Sequence, residues 1–111
     1  MKKYIPAKGD IILVSFDPRS GKEQSGFRPA ITLSPKKYNE IVGLAIVCPI
    51  TSQIKGYPFE VKLEKLKTQG VVLTDQIRNI DWKFRKIKFV ENAECPILNK
   101  VFAKLRILLE F

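Results

Sequence analysis

Short apolar or alternating segments, separated by turn residues, fill roughly the first ninety positions of this chain and predict a series of β-strands. The predicted strands cover residues 11–16, 28–34, 41–48, 59–63, 70–73, 75–81 and 84–90, with one helical turn at 35–40. From Pro96 onward the apolar residues recur at helical spacing instead. A strand series closed by one helix predicts a mainly β fold with a C-terminal α-helix, bent into a small barrel.

The charge balance of the chain indicates an anionic partner. Its 111 residues suffice for one domain, predicted to span positions 1–111, and a 45% hydrophobic fraction suffices for a core. Lys and Arg number 20 against 11 Asp and Glu, which gives a formal charge of +9. This balance favours a polyanion such as nucleic acid, or an acidic protein, although a merely soluble basic protein has the same composition.

The cysteines and apolar runs predict a cytoplasmic protein without a metal site or a membrane segment. Cys48 lies in an apolar run typical of a core. Cys95 falls at a predicted helix start, where a thiolate can be stabilised, although the pattern favours an inert thiol. Their separation fits no zinc or redox motif, histidine is absent, and two cysteines do not make a secreted disulfide scaffold. The apolar runs at 11–16 and 41–50 are too short for a signal peptide or a membrane span.

A glycine-bracketed loop places an arginine at the start of the second predicted strand. Residues 21–30 read GKEQSGFRPA, so a carboxylate and an amide precede Arg28. Pro29 pushes Arg28 into extended backbone, and a guanidinium can clamp a phosphate with two parallel hydrogen bonds. The pattern fits a phosphate site as well as a surface arginine that pairs with Glu23.

Polar side chains follow two further predicted strands. Thr51 and Ser52 come after Pro49-Ile50, where their hydroxyls can bind phosphate oxygens or simply cap a turn. Asp75 and Gln76 follow the segment VVLT and can read a base edge or a ribose hydroxyl, or cap their own turn.

A third polar segment is basic and aromatic. Residues 82–88 read WKFRKIK and include Lys83 and Arg85. Such a strand can track a phosphate backbone while a ring stacks on a base. A dimer interface or a solvated charged face accounts for the segment equally well.

The absent residue types narrow the chemistry. Without histidine there is no Ser-His-Asp triad and no Cys-His pair, and the sequence has neither a phosphate-binding glycine loop nor a magnesium-binding carboxylate cluster. RNA cleavage still fits, because the 2′-hydroxyl of RNA is the nucleophile and needs only placement, proton transfer and charge stabilisation. Arginine donors contribute about 10²–10³ in rate and acid–base help about 10²–10⁴, both without metal or cofactor.

Ordered blocks along nearly the whole chain resemble the MazF/PemK family of toxin endoribonucleases, and the match is closest to the MazF branch. The blocks are GDII at 9–12, FDP at 16–18, GKEQSGFRPA at 21–30, LSP at 33–35, YN at 38–39, PITS at 49–52, KGYPFEV at 55–61, DQ at 75–76 and IDW at 80–82. The resemblance implies an SH3-like barrel that forms a homodimer, with the RNA groove across the dimer. It also implies a type II toxin–antitoxin toxin, an mRNA interferase that inhibits translation and growth. Such an enzyme cuts single-stranded RNA at a short sequence without metal and leaves a 2′,3′-cyclic phosphate and a 5′-hydroxyl.

The resemblance assigns roles residue by residue. By position, Arg28 and Thr51 match the catalytic pair of the family, and the loop residues Glu23 and Gln24 match positions implicated in substrate contact and catalysis. Glu23 is a candidate for the base that takes the 2′-hydroxyl proton, since arginine stays protonated at neutral pH. The side chains predicted to bind substrate are Gln24, Ser52, Lys55, Asp75, Gln76, Lys83 and Arg85.

Two departures from the PemK branch concern that base. Lys22 stands where the branch has a histidine, and Leu73 stands where it has an arginine, so a base inferred from that branch rests on Asp75 alone. The family also implies an antitoxin, whose acidic, disordered segment competes with RNA for the groove and suits the +9 charge. The alternatives are a CcdB-type gyrase poison, which shares the fold but cleaves nothing, and a non-catalytic RNA-binding barrel.

Overall fold

The fold is mainly β, with one long helix at the C-terminal end, as the sequence pattern predicts. The computed structural model describes residues 3–15, 26–93 and 95–111. The strands in these ranges are β1 (Asp10–Ser15), β2 (Phe27–Thr32), β3 (Ala45–Thr51), β4 (Glu60–Lys62), β5 (Val71–Leu73), β6 (Arg78–Ile80) and β7 (Ile87–Asn92). The helices are α1 (Lys36–Val42) and α2 (Cys95–Leu109), and a 3-10 turn covers Thr74–Gln76. Neither helix in the described ranges has the length and apolarity that a membrane crossing requires.

Three of the predicted strands differ in the structure. The strand predicted at 84–90 begins only at Ile87, because the residues before it form the turn between β6 and β7. Residues 41 and 42 end α1 instead of starting β3, because Gly43 stops the helix with a φ of +81°, in the left-handed region. A short apolar run does not distinguish a buried strand from a helix, so the prediction of a strand from residue 41 is wrong. The predicted strand at 75–81 is interrupted as well. Thr74 turns the chain by donating its N–H and its hydroxyl to the carbonyl of Phe59, at 3.2 and 2.6 Å, and β6 begins only at Arg78.

The strands form one antiparallel sheet in which β3 has the central place. The hydrogen-bonded order is β4-β5-β3-β2-β1-β7, and β6 also pairs with β3. On β3, residues 45–47 pair with β6, and Ile50 and Thr51 pair with β5. Within the described ranges no pairing joins β4 to β7, so the path of hydrogen bonds is not a closed ring, and α2 packs against β4 and the 3-10 turn.

Alternation along the strands places apolar residues on both faces of the sheet. On one face, Ile31 and Cys48 pack in a core that α2 covers with three side chains, Ile97, Val101 and Leu105. Cys48 is fully buried, as predicted; burial, with a smaller contribution from the charge of Asp75, raises the pKa of its thiol to about 12. The other face carries a second cluster, formed by Ala30, Ala45, Val47, Ile80 and Trp82.

Asn39 fastens three parts of the chain around the second cluster. Its side chain is fully buried, and Nδ2 donates to the carbonyl oxygens of Pro6 (2.8 Å) and Ser34 (3.1 Å). Its Oδ1 accepts from the Ser34 hydroxyl at 2.6 Å, and its backbone oxygen accepts from Trp82 Nε1 at 3.0 Å. The start of the turn between β6 and β7 is therefore anchored in the protein interior.

Glu91 on β7 holds the segment that precedes β5. Its carboxylate accepts hydrogen bonds from the Thr68 N–H and hydroxyl, both at 2.7 Å, and from the Lys67 N–H at 3.1 Å. Partial burial raises the pKa of Glu91, but these hydrogen bonds outweigh it, so the net pKa lies below the ordinary value of 4.5. The folded state thus prefers the ionised form, and this stabilisation is present above about pH 4.5 and lost as the pH falls below it.

We expect Glu91→Gln to lower the urea midpoint of unfolding at pH 7, because a neutral amide cannot replace both oxygens of the carboxylate. As the pH falls through the lowered pKa of Glu91, the wild-type carboxyl is protonated as well, so the difference between the urea midpoints of the two proteins is expected to narrow. Urea unfolding of both proteins at pH 7 and over a series of lower pH values measures this, and a difference that stays the same throughout would contradict the role given to the charge.

Candidate active site

A cavity of about 330 Å³ opens on the sheet face opposite α2. Its apolar wall includes Ala30, Val47 and Ile80 of the second cluster. Three guanidinium groups line it as well, those of Arg28, Arg78 and Arg85, and its lining in the described part of the chain includes no carboxylate. Several arginines around a concave, partly apolar wall favour a phosphate-bearing ligand.

The register of β2 and β3 brings Arg28 and Thr51 onto the same face. Ala30 lies opposite Pro49 where the two strands pair. The described pairing of the two strands ends at this pair. Because side chains alternate with a period of two, Arg28 and Thr51, each two residues from the pair, lie on the same sheet face as Ala30 and Pro49, which line the cavity. Arg28 lines the cavity and is exposed, whereas Thr51 is half-buried at the end of β3 and does not line it.

The hydroxyl of Thr51 caps the turn that follows β3, which is the role that the sequence offered as the alternative to phosphate binding. Its Oγ1 accepts from the Gln53 N–H at 3.1 Å, while the neighbouring Ser52 is exposed. A hydroxyl that accepts one hydrogen bond still has a proton to donate, so Thr51 can cap the turn and bind a phosphate oxygen together.

The backbone of Thr51 is itself held by a close approach of the chain. Gly70 has a φ of +119°, and a Cβ at this position would lie 2.2 Å from the carbonyl oxygen of Thr51. No side chain fits there, so β5 begins with its backbone directly against the end of β3. This contact fixes where Thr51 sits relative to the rest of the sheet.

Arg85 reaches the cavity from the turn between β6 and β7. Its Nη1 donates to the carbonyl of Ser15 at 3.4 Å. The next residue reinforces this contact, since the Lys86 N–H donates to Ser15 Oγ at 3.0 Å and the Ser15 N–H donates to the Lys86 carbonyl at 2.9 Å. The end of β1 therefore positions one of the three cavity arginines.

Arg78 is the cavity residue that the sequence pattern missed. It lies opposite Val47 on β6, with Ile80 on the same face. Alternation along residues 78–80 indicated that these two side chains share a face, but only the pairing of β6 with β3 shows which cavity that face borders.

The remaining predicted substrate-binding residues that the structure describes lie away from the cavity lining. The carboxylate of Asp75 accepts the Tyr57 hydroxyl at 2.7 Å, and this hydrogen bond, with the charge of Asp75, raises the pKa of Tyr57. Gln76, the next residue in the chain, is exposed. Lys55 is also exposed, and the backbone N–H groups of Lys55 and Gly56 donate hydrogen bonds to the carboxylate of Glu60. Lys83 is also exposed, with Nζ 6.0 Å from the Trp82 ring centroid. Two predicted residues, Glu23 and Gln24, lie outside the described residues.

The comparisons with known proteins define the class. Residues 7–109 match the family of PemK-like, MazF-like toxins of type II toxin–antitoxin systems, which covers nearly the whole chain. The chain therefore belongs to the MazF/PemK family of toxin endoribonucleases, and it is an enzyme of that kind.

Similarity to individual relatives places it nearer MazF than PemK. The endoribonuclease toxin MazF of Escherichia coli K12 is 41% identical over 109 residues, which is 98% of each chain. Endoribonuclease PemK of Escherichia coli is 36% identical over 107 residues, covering 92% of this chain and 80% of its own. A chain in a MazE–MazF crystal structure from Deinococcus radiodurans superposes with a TM-score of 0.92 at 44% identity, covering 98% of this chain and 99% of its own. The predicted resemblance and the fold are thus confirmed.

Proposed function

We propose that this toxin cuts single-stranded RNA, messenger RNA above all, at a short sequence and without a metal ion. The 2′-hydroxyl oxygen attacks the adjacent phosphorus, the bond to the 5′-oxygen breaks, and the fragments end in a 2′,3′-cyclic phosphate and a 5′-hydroxyl. Loss of intact messenger then inhibits translation and growth. The observation that carries the proposal is the alignment of Arg28 and Thr51 on the face of an arginine-lined cavity.

In this mechanism Arg28 stabilises the negative charge that develops in the transition state. Its guanidinium donates hydrogen bonds to the non-bridging oxygens as the phosphorane forms. Arg28 is also the candidate donor of the proton that the departing 5′-oxygen takes up to become a hydroxyl. The Thr51 hydroxyl holds the scissile phosphate. Because the cavity also contains Arg78 and Arg85, phosphates on either side of the cut can be bound at the same time.

The 2′-hydroxyl proton needs an acceptor, and Glu23 is the candidate carried by the family resemblance. Asp75 is the second candidate, although one of its oxygens is already occupied by the Tyr57 hydroxyl. Base recognition falls to polar side chains that can reach the edges of unstacked bases. We assign this role to Gln24, Ser52, Lys55, Gln76 and Lys83.

We further propose that the toxin works as a homodimer and is held inactive by an acidic antitoxin segment. The MazE–MazF structures of Deinococcus radiodurans contain a relative together with MazE. In this chain the +9 charge and the arginine-lined face favour an acidic segment that competes with RNA. Apolar side chains exposed on the helices, Ile41 and Ile107 among them, give a second copy surface to cover.

The proposal is tested by incubating the purified protein with long single-stranded RNA in EDTA and mapping the fragment ends. Discrete cuts that end in cyclic phosphate are expected, and their positions give the recognition sequence. RNA that stays intact with a folded dimer would contradict ribonuclease action. A gyrase supercoiling assay and an RNA-binding assay on the same sample would then separate a gyrase poison from a binding module.

A further inference from the structure

The turn between β6 and β7 carries a phenyl ring that is almost entirely exposed. Phe84 is 87% exposed, whereas Trp82, two residues earlier, is 4% exposed and donates its indole N–H to the Asn39 carbonyl. Of the two rings in this basic, aromatic segment, Phe84 is the one that can present a face to a ligand.

The backbone beneath the ring is held in place. Asp81 caps the turn, since its Oδ1 accepts from the Phe84 N–H at 3.0 Å and its carbonyl accepts from the Arg85 N–H at 3.1 Å. The buried indole of Trp82 anchors one side of the turn, and Lys86 ties the other side to Ser15. A ligand that binds the ring therefore pays little to order the turn.

The residues that flank Phe84 in the chain are cationic, and one of them lines the cavity. Lys83 and Lys86 are exposed on either side, and Arg85, next in the chain, lines the cavity together with Arg28. Consecutive Cα atoms are about 3.8 Å apart, so the ring and a cavity arginine arise from adjacent points of the backbone. The turn that carries the ring therefore also supplies one of the cavity arginines.

This setting favours a nucleobase over a protein partner. Protein interfaces are depleted in lysine at their centre, whereas Phe84 lies between Lys83 and Arg85 in the chain and is followed by a further exposed lysine, Lys86. An unpaired base offers a flat face to the ring and a phosphate to the neighbouring cations, and aromatic rings within basic grooves bind single strands in this way.

We propose that Phe84 is the stacking platform of this toxin, against which an unpaired base beside the phosphate held by Arg28 and Arg85 lies face to face. The inference rests on the proposed ribonuclease function and adds a substrate-positioning residue to it. Since every base has a π-face, the stack contributes affinity and registers the strand without itself choosing the sequence.

The test measures the affinity of a single-stranded RNA oligonucleotide that carries the recognition sequence, with a 2′-O-methyl group at the scissile nucleotide to prevent cleavage. Phe84→Ala is expected to raise Kd about five- to 150-fold, the range for losing one base–aromatic stack. Phe84→Trp is expected to bind the RNA at least as tightly as the wild type. Phe84→Leu is expected to lose most of the affinity that the ring contributes, because leucine has no aromatic face. Phe111→Ala is the matched control, because it removes another exposed phenyl ring, 65% exposed, that follows α2 and lies outside the turn, and it is expected to leave Kd unchanged.

Abasic nucleotides placed at each position in turn identify the stacked base. At one position, the abasic nucleotide is expected to weaken binding to the wild type but not to weaken binding to Phe84→Ala any further. Removing the base and removing the ring there abolish the same contact, so their effects do not add. Wild-type affinity in Phe84→Ala, additive losses at every position, or an effect confined to self-association or to binding of an acidic peptide would overturn the inference. If the wild type cleaves RNA and Phe84→Ala behaves identically, only this inference fails; if the wild type neither binds nor cleaves RNA, the proposed function fails with it.

Discussion

Arg28→Ala is expected to lower the rate of RNA cleavage by at least about 10²–10³-fold, the loss typical of removing one preorganised donor to a transition-state charge. The side chain is exposed, so its truncation takes little apolar surface out of the core, and the β2 backbone keeps its pairing with Val14 on β1. Cleavage of a fluorogenic single-stranded RNA measures the loss, and circular dichroism with a urea titration shows whether the fold is kept.

Two variants make this result specific. Arg28→Lys keeps the positive charge but not the planar fork of donors, so we expect partial activity between that of the wild type and that of Arg28→Ala. Arg106→Ala removes another exposed arginine, in the last turn of α2, and is expected to cleave normally. Full activity in a folded Arg28→Ala protein would remove Arg28 from the mechanism.

Gly70→Ala is expected to destabilise the protein by about 3–5 kcal/mol, from backbone strain and overpacking together. The φ of +119° disfavours any side chain, and the new Cβ would meet the carbonyl of Thr51 at 2.2 Å. Since both sides of this contact are backbone, relief requires β5 or the end of β3 to move. Urea unfolding measures the stability loss, and any folded fraction is expected to cleave RNA slowly because Thr51 is displaced.

Substitutions at two other glycines separate the effect of backbone strain from that of the steric clash with Thr51. Gly56 also has a positive φ, +76°, but no atom lies within 4 Å of a Cβ built there, so Gly56→Ala isolates the strain and is expected to cost about 1 kcal/mol. Gly26 has open space and no such φ, so Gly26→Ala is expected to be nearly neutral. Equal stabilities of the variants at positions 70 and 56 would show that the close approach to Thr51 does not constrain the chain.

Most of the fold was predictable because local sequence patterns mark most of its strands and its long helix. Alternation and turn residues locate β1, β2, β4, β5 and most of β7, and helical spacing locates α2 to within one residue of its observed start. The errors fall where local pattern is ambiguous. Ile41 and Val42 are apolar yet exposed on α1, and the strand predicted at residue 75 is delayed by hydrogen bonds from Thr74 to Phe59, which no local pattern encodes.

The candidate site was predictable in its parts but not in its assembly. Residue type and family resemblance single out Arg28 and Thr51, but their shared face depends on the register of β2 against β3. Arg78 was missed because its place at the cavity depends on long-range pairing with β3. The roles of Arg28 and Thr51 stay predictions, as do those of Glu23 and Gln24.

The pairing of β1 with β7 has a consequence for how the enzyme comes into being. Asp10 lies opposite Asn92, and the core over β2 and β3 is completed by Ile97, Val101 and Leu105, near the other end of the sequence. Arg28 and Thr51 emerge from the ribosome long before those residues, and contacts across such sequence distance form late in folding. A ribosome can thus carry Arg28 and Thr51 of the candidate site before the fold that brings the site together is complete.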